Sequence, residues 1–469
     1  RQISPEVAEK VAALDLPGIH QQREYRRYYP AGEVTAHLLG FTDVEDRGQE
    51  GIELAFDAQL AGKPGSRRVI KDRLGRIVED VESIKPPLDG KDITLALDAR
   101  VQYLAFTHLK QALAEHKARA GGVVVLDART GEVLGLANLP AYNPNNRLRL
   151  TGSHCRNRAL NDALEHGSTM KPFTAALALE KGRLRFDSRI QTAPGRLTIG
   201  NATISDAHPH GLLSVAQVVQ KSSNVGAAKI AATLSPEEMW RMFDALGFGQ
   251  PLRLGFPGEV GGRLRPFKTW RPIEQATMAY GHGISVTLMQ LARAYLVFAR
   301  DGDLIPLSLT RLDSAPVAGK SVFSAQTARE VRAMLELAVQ PGGTAPKAQI
   351  PGYRVAGKTG TAQKLEGGQY VGRYVAAFVG FAPVSDPRLL VAVMVDEPSA
   401  GKYYGGEVAA PVFARVMAGS LRALGVAPDA PLAPLQAARE VAAVSESLSS
   451  GWKGKEKRRT CWRNCKGWA

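Results

Sequence analysis

A serine and a lysine three residues apart, Ser168 and Lys171, could carry nucleophilic chemistry where a helix begins at Gly167. Spacing of three stacks the two side chains on one helix face, a turn apart. A serine hydroxyl attacks well only when a nearby base takes its proton, and an uncharged amine within hydrogen-bond reach can be that base. The sequence predicts the helix: Gly167 interrupts the chain, Ser168 is a favoured N-cap type, and an Ala/Leu-rich run continues to Lys181 before Gly182. The pattern alone is weak. Ser399-Ala400-Gly401-Lys402 and Ser450-Gly451-Trp452-Lys453 match it equally, and most such pairs are a capping serine beside a solvated lysine.

Two remote motifs change that balance. Lys221-Ser222-Ser223-Asn224 holds the sole Ser-x-Asn of the chain, where a loop after the helix starting near Ser214 could present a hydroxyl and an amide to a cleft. Lys358-Thr359-Gly360-Thr361 holds the sole Lys-Thr-Gly, on a predicted strand whose Gly357 and Gly360 suggest a backbone that something approaches closely.

The elements that must position these residues follow from pattern. With 469 residues, 44% hydrophobic and 22% charged, the chain can form two or three domains with a sizeable core. Residues 1 to 82 read as an irregular mixed α/β module, opening with a helix from Pro5 to about Leu14. Two strands lie around Leu74-Gly75, and a Pro/Gly-rich linker covers 83 to 91. From 92 to 425 the pattern is α+β. Asp98 caps a helix over Arg100 to His116, and Gly122 to Leu126 and Glu132 to Ala137 form a hairpin. Tyr353 to Lys364, Tyr374 to Ala382 and Leu389 to Asp396 give three more strands. Between the strand groups, helices are expected at 168 to 181, 214 to 232, 286 to 300 and 324 to 338, with a closing helix at 408 to 424. Five antiparallel strands covered by helices result. Residues 426 to 469, Ala/Pro-rich, then Ser-rich, then basic, are expected to be disordered.

Charge and cysteine content narrow the classes. Lys+Arg outnumber Asp+Glu by 60 to 45, a net +15 that favours anionic partners. No zinc-finger or RNA-binding signature accompanies it, so nucleic acid is not expected. Cys155, Cys461 and Cys465 provide neither a disulfide framework nor a four-ligand metal site, and no cofactor is expected. Apolar runs such as Leu389 to Val395 are too short to span a membrane, and no signal peptide is expected in residues 1 to 469. The chain starts at Arg1 without methionine, which reads as a processed protein or a fragment.

Ser-x-x-Lys, Ser-x-Asn and Lys-Thr-Gly in this order resemble the signature of penicillin-binding proteins and class A β-lactamases. Over residues 20 to 424 the chain resembles a class B penicillin-binding protein, most closely the division-type, septal branch of penicillin-binding protein 3. The resemblance is carried by Tyr28-Tyr29-Pro30-Ala31-Gly32, His37-Leu38-Leu39-Gly40-Phe41 and Gly51-Ile52-Glu53 in a pedestal (dimerisation-like) domain truncated at its start. In a transpeptidase domain it is carried by Tyr142-Asn143-Pro144-Asn145, Asn157-Arg158-Ala159, Gly255-Phe256-Pro257-Gly258-Glu259 and Tyr280-Gly281-His282-Gly283. The resemblance implies a peptidoglycan D,D-transpeptidase that is a β-lactam target. Ser168 would attack the penultimate D-alanine of a D-Ala-D-Ala stem peptide, and Lys171, kept neutral by burial beside Lys358, would take its proton. Ser222 would relay that proton, and Asn224 would bind Lys171 or a substrate amide. Lys358 and Thr359 would hold the terminal carboxylate, strand 358 to 361 including Gly360 would pair with substrate, and the amides of Ser168 and Thr361 would form the oxyanion hole. An amine of a second stem peptide would resolve the acyl-enzyme. A single-pass anchor on the periplasmic face of the inner membrane, a glycosyltransferase and other division-complex membrane proteins are also implied.

His166 stands where the family usually has proline. His166 and His282 read as structural or surface histidines, Glu165 and Asp206 as solvated, and Cys155 as an inert buried thiol. Three other readings compete: a D,D-carboxypeptidase or β-lactamase-like hydrolase, which needs a base for water that no extra carboxylate motif advertises; a non-enzymatic β-lactam sensor or assembly factor; and a basic protein binding anionic glycan, lipid or nucleic acid.

Overall fold

The computed structural model describes residues 3–19, 21, 27–74, 77–147, 150–314 and 318–431. The expectations for Tyr25, Arg26, Gly75, Ser450, both tail cysteines and the chain beyond 431 lie outside the described residues.

The pedestal opens with α1 (Pro5–Ala12), where proline sits in the first turn. Its hairpin pairs β1 (Ser66–Lys71) with β2 (Ile77–Lys85), so regular strand runs into the segment read as linker. In the second module, α2 (Ala99–Glu115) is capped by the Asp98 carboxylate, which accepts from the amides of Arg100 and Val101. The hairpin of β3 (Ala120–Asp127) and β4 (Val133–Leu139) follows. Then come α3 (Lys171–Glu180), α4 (Val215–Lys221), α5 (Asn224–Ala231), α6 (Leu288–Ala299) and α7 (Ala325–Val339). Strands β5 (Ala356–Glu366), β6 (Gln369–Ala382) and β7 (Leu389–Asp396) and helix α8 (Ala410–Ala423) follow later in the chain, among shorter elements.

The five-stranded sheet runs β5-β6-β7-β3-β4, every pair antiparallel. Both faces are buried, which is why β3 and β7 are continuous apolar runs rather than alternating ones. Alternation decides the partner instead. Val123 and Val125 point into the core shared with α2 and α8, whereas Val124 and Leu126 point into the core shared with α3, α4, α5 and α6. Helix α6 is buried at every position except Arg293, as a helix that is apolar on all sides must be. At its centre Phe173 of α3 meets Tyr295 and Phe298 with ring centroids 5.2 and 5.1 Å away. The Tyr295 hydroxyl donates to Thr169 O at 2.6 Å, tying this core to the turn that carries Ser168.

Residues quoted above for their resemblance form the joint between the modules. Asn145 accepts from Tyr29 N at 3.0 Å and donates to Tyr29 O at 2.8 Å. The Tyr142 hydroxyl donates to Ala36 O at 2.9 Å, and His37 Nε2 lies 2.7 Å from His154 O. Each bond satisfies a carbonyl or amide that a dry interface would otherwise leave orphaned. Among the described residues no helix is long and apolar enough to cross a membrane.

Candidate active site

The helix expected from Ser168 starts later. Residues Gly167–Met170 form a 3-10 turn and α3 begins at Lys171, so Ser168 makes no capping bond. In a 3-10 turn residues three apart eclipse, which superposes Ser168 and Lys171 more directly than an α-helix would. Lys171 Nζ lies 2.9 Å from Ser168 Oγ. The turn is held by close backbone approaches. A Cβ on Gly360 would lie 2.1 Å from His166 O, and one on Gly281 would lie 2.2 Å from Gly167 O. Gly360 thus has the close neighbour its place in a strand suggested.

The helix expected over 214 to 232 is interrupted at the second motif. Ser222 ends α4 in the left-handed region, with φ 61°, an uncommon conformation for a residue with a Cβ. The break turns both Ser222 O and Ser222 Oγ onto Lys171 Nζ. Ser223 then caps α5 by accepting from Gly226 N at 2.8 Å, and Asn224 Oδ1 lies 2.8 Å from Lys171 Nζ. Asn224 Nδ2 donates to Ser205 O at 2.9 Å, which fixes which end of the amide faces the lysine.

Strand β5, at the edge of the sheet, brings the third motif. Lys358 Nζ lies 3.0 Å from Ser222 Oγ and 3.2 Å from Thr359 Oγ1. Thr359 Oγ1 also lies 2.9 Å from Thr344 Oγ1. Thr361, next along the edge, accepts from Gly405 N at 3.0 Å through its hydroxyl. Ser168, Lys171, Ser222, Asn224 and Lys358 are therefore joined by direct hydrogen bonds, with Thr359, Gly360 and Thr361 lining the adjoining edge.

Both lysines are nearly dry, at 1% exposure for Lys171 and 0% for Lys358. Burial, and then the positive charge of Lys358, hold Lys171 well below the ordinary lysine range, against an opposing pull from Asp206. Burial brings Lys358 down to about 7. The partners suit a neutral Lys171. Its two protons go to Ser222 O and Asn224 Oδ1, which can only accept, and its lone pair is left for a hydroxyl proton.

Asp206, Glu165 and Cys155 depart from expectation, whereas His166 and His282 are structural histidines. Asp206 is not a solvated carboxylate: it accepts from Ser223 Oγ at 2.7 Å and from the amides of Asn224 and Val225, fastening the start of α5. Glu165 is half-buried, accepting from Gly283 N at 2.7 Å and the Tyr370 hydroxyl at 3.0 Å. His166 is fully buried, with Nε2 3.2 Å from Val286 O and Nδ1 unpartnered, and burial lowers it to about 4. His282 packs between Tyr280 and Tyr370, with ring centroids 5.3 Å away on each side. Cys155 is half-buried rather than buried, its thiol pKa raised by desolvation. Of the rival Ser-x-x-Lys pairs, Ser399 donates to Lys117 O at 2.8 Å and Lys402 is exposed.

Asp206 read as solvated because only the fold brings Ser223, Asn224 and Val225 onto its carboxylate. Tyr280, whose ring centroid is 5.9 Å from Lys171 Nζ, carried a signal in the Tyr280-Gly281-His282-Gly283 motif but no role.

The chain is similar to known proteins over most of its length. Residues 121–418 match the penicillin-binding protein transpeptidase domain, and residues 1–95 match the penicillin-binding protein dimerisation domain. The chain is 47% identical over 435 residues to the probable peptidoglycan D,D-transpeptidase PenA of Neisseria gonorrhoeae, covering 92% of this chain and 74% of that protein. It is 44% identical over 431 residues to the peptidoglycan D,D-transpeptidase FtsI of Escherichia coli K12, covering 92% of this chain and 73% of that protein. The apo transpeptidase domain of Burkholderia pseudomallei penicillin-binding protein 3 superposes with a TM-score of 0.67 at 49% identity, covering 72% of this chain and 98% of that one. With residues 121–418 matching the transpeptidase domain and 47% identity to PenA over 92% of its residues, this chain belongs to the penicillin-binding protein transpeptidase family.

Proposed function

We propose that this protein is a serine-type peptidoglycan D,D-transpeptidase that cross-links stem peptides, and that β-lactams acylate the same serine. The observation that carries this reading is the 2.9 Å approach of a buried Lys171 amine to Ser168 Oγ. In the proposed reaction Ser168 Oγ attacks the carbonyl of the penultimate D-alanine while Lys171 Nζ takes its proton. Ser222, within reach of both lysines, passes that proton to the departing D-alanine amine. Lys358 and the hydroxyls of Thr359 and Thr361 receive the substrate carboxylate, whose negative charge favours the charged form of a lysine poised near 7. Strand β5, open along its outer edge, pairs with the extended peptide, and the amides of Ser168 and Thr361 hold the oxyanion.

In this reading residues 1 to 82 are the pedestal, 83 to 91 the linker and 92 to 425 the catalytic domain. The full-length enzyme works at the periplasmic face of the inner membrane in septal wall synthesis, beside a glycosyltransferase and other division-complex proteins.

Product analysis tests the reaction class. With a D-Ala-D-Ala stem peptide and an amine acceptor, cross-linked product that disappears in Ser168→Ala is expected. A product that is almost wholly the hydrolysed tetrapeptide would replace this reading with the carboxypeptidase one.

A further inference from the structure

Glu165 is a half-buried carboxylate three residues before the nucleophile, and the acylation chemistry above does not use it. Its two oxygens accept one bond each, from Gly283 N at 2.7 Å and from the Tyr370 hydroxyl at 3.0 Å. Among the described residues it makes no ion pair, whereas Asp162, Glu274, Asp301 and Asp396 each face an arginine or lysine. A carboxylate taken partly out of water with no cation is costly to keep, which marks it as a candidate for function.

Its place is the rim of the site. The chain around Glu165 runs beside Tyr280 to Gly283, as the approach of Gly281 to Gly167 O requires. From there a row of rings leads inward toward Lys171. Tyr370 packs on His282, His282 on Tyr280, and the Tyr280 ring lies under Lys171 Nζ. Tyr370 comes from the outer end of the β5–β6 hairpin and is 45% exposed, so its hydroxyl is a partner that an entering group can displace.

The second half-reaction lacks a partner that Glu165 could be. The acceptor arrives as an ammonium, R–NH3+, at a site that already contains two lysines, and it must lose a proton before it can attack.

We infer that Glu165 is the acceptor-ammonium subsite: its carboxylate binds the incoming primary ammonium and takes one of its protons. This rests on the transpeptidase reading. The step balances. One proton of R–NH3+ passes to Glu165, the freed nitrogen pair forms the C–N bond to the acyl carbon, and the C–Oγ bond to Ser168 breaks. The second proton reaches Ser168 Oγ through Lys171, and the third stays on the new amide nitrogen. Burial, which raises the Glu165 carboxyl, makes it a better base than an exposed glutamate.

The test is the partition of one acyl-enzyme. A thioester donor of the acyl-D-alanyl type is given to wild type and Glu165→Gln, with D-alanine as an ammonium acceptor or with hydroxylamine, which is uncharged at neutral pH. Aminolysis over hydrolysis is read for each. Both products leave the same ester, so the ratio does not depend on how fast or how much of the protein is acylated. The expected result is a fall of about tenfold in the D-alanine ratio, the scale of one charge-assisted hydrogen bond, with a hydroxylamine ratio within about twofold of wild type. Glu165→Asp, which keeps the charge on a shorter arm, should fall between the two, and serves if the glutamine variant does not fold. Equal ratios in wild type and variant, equal losses for both acceptors, or a loss in the hydrolysis branch instead would overturn the inference. Failure of wild type to form any acyl-enzyme would instead overturn the reading on which it rests.

Discussion

Lys171 and Lys358 reach the same hydroxyl: Ser222 Oγ lies 3.1 Å from one side-chain nitrogen and 3.0 Å from the other. Two cations cannot share so dry a place at ordinary lysine pKa values. Burial lowers both, and the charge of Lys358 lowers Lys171 further. Lys358→Gln removes that charge, so Lys171 rises and is neutral only at higher pH. The acid limb of the pH profile for penicillin acylation should move upward, and the rate at neutral pH should fall by about tenfold or more. Stopped-flow or gel-based acylation rates across pH read this directly. A limb that stays in place would detach Lys358 from the tuning of Lys171.

Asp206 acts on the same group with the opposite sign. Its carboxylate raises Lys171, and its bonds hold Ser223, Asn224 and Val225 in position. Asp206→Asn should therefore move the acid limb to lower pH, whereas Asp206→Ala should also cost about 1–3 kcal/mol in urea unfolding by leaving buried donors unpaired. A limb shifted upward by the asparagine variant would contradict this assignment.

Gly360 tests the packing that holds Ser168 in place. A methyl there meets the His166 carbonyl, which belongs to the backbone just before Ser168 and has nowhere to yield. Gly360→Ala should lower the acylation rate at least about tenfold, as a misplacement near 1 Å does. A fold retained by circular dichroism with a lost rate is the expected pair of results.

His166 makes stability depend on acid. Its folded pKa is about 4 against 6.5 for the ordinary side chain, because no water or anion reaches the ring. As pH falls from 6.5 toward 4 the unfolded chain takes the proton first, so stability present above 6.5 is lost across that window. The loss amounts to roughly 3 kcal/mol from this residue. Denaturant unfolding between those pH values should show a shallower slope in His166→Gln than in wild type; parallel slopes would assign the acid sensitivity elsewhere.

Much of the scaffold was legible because it is written in local pattern. The unbroken apolar run from Leu389 gives β7 with the bounds observed, and Asp98 caps the helix it was expected to cap. The motif spacing likewise pointed to the residues that meet around Lys171. What was not legible depends on contacts remote in sequence. The Ala/Val-rich segment from 214 to 232 reads as one helix, and nothing in its composition reports that Ser222 adopts φ 61° to face Lys171. Ser168 has the type of an N-cap, yet close approaches of Gly281 and Gly360 hold its segment as a 3-10 turn. Asp206 and Glu165 look like surface acids until the chain folds amides and hydroxyls onto them.

The central claim is that Ser168 is the residue acylated. Intact-mass measurement after incubation with benzylpenicillin, followed by peptide mapping, tests it most directly. Wild type should gain the mass of one penicilloyl group on the peptide containing Ser168, and Ser168→Ala should gain none. Equal labelling of both proteins, or of neither, would contradict the account.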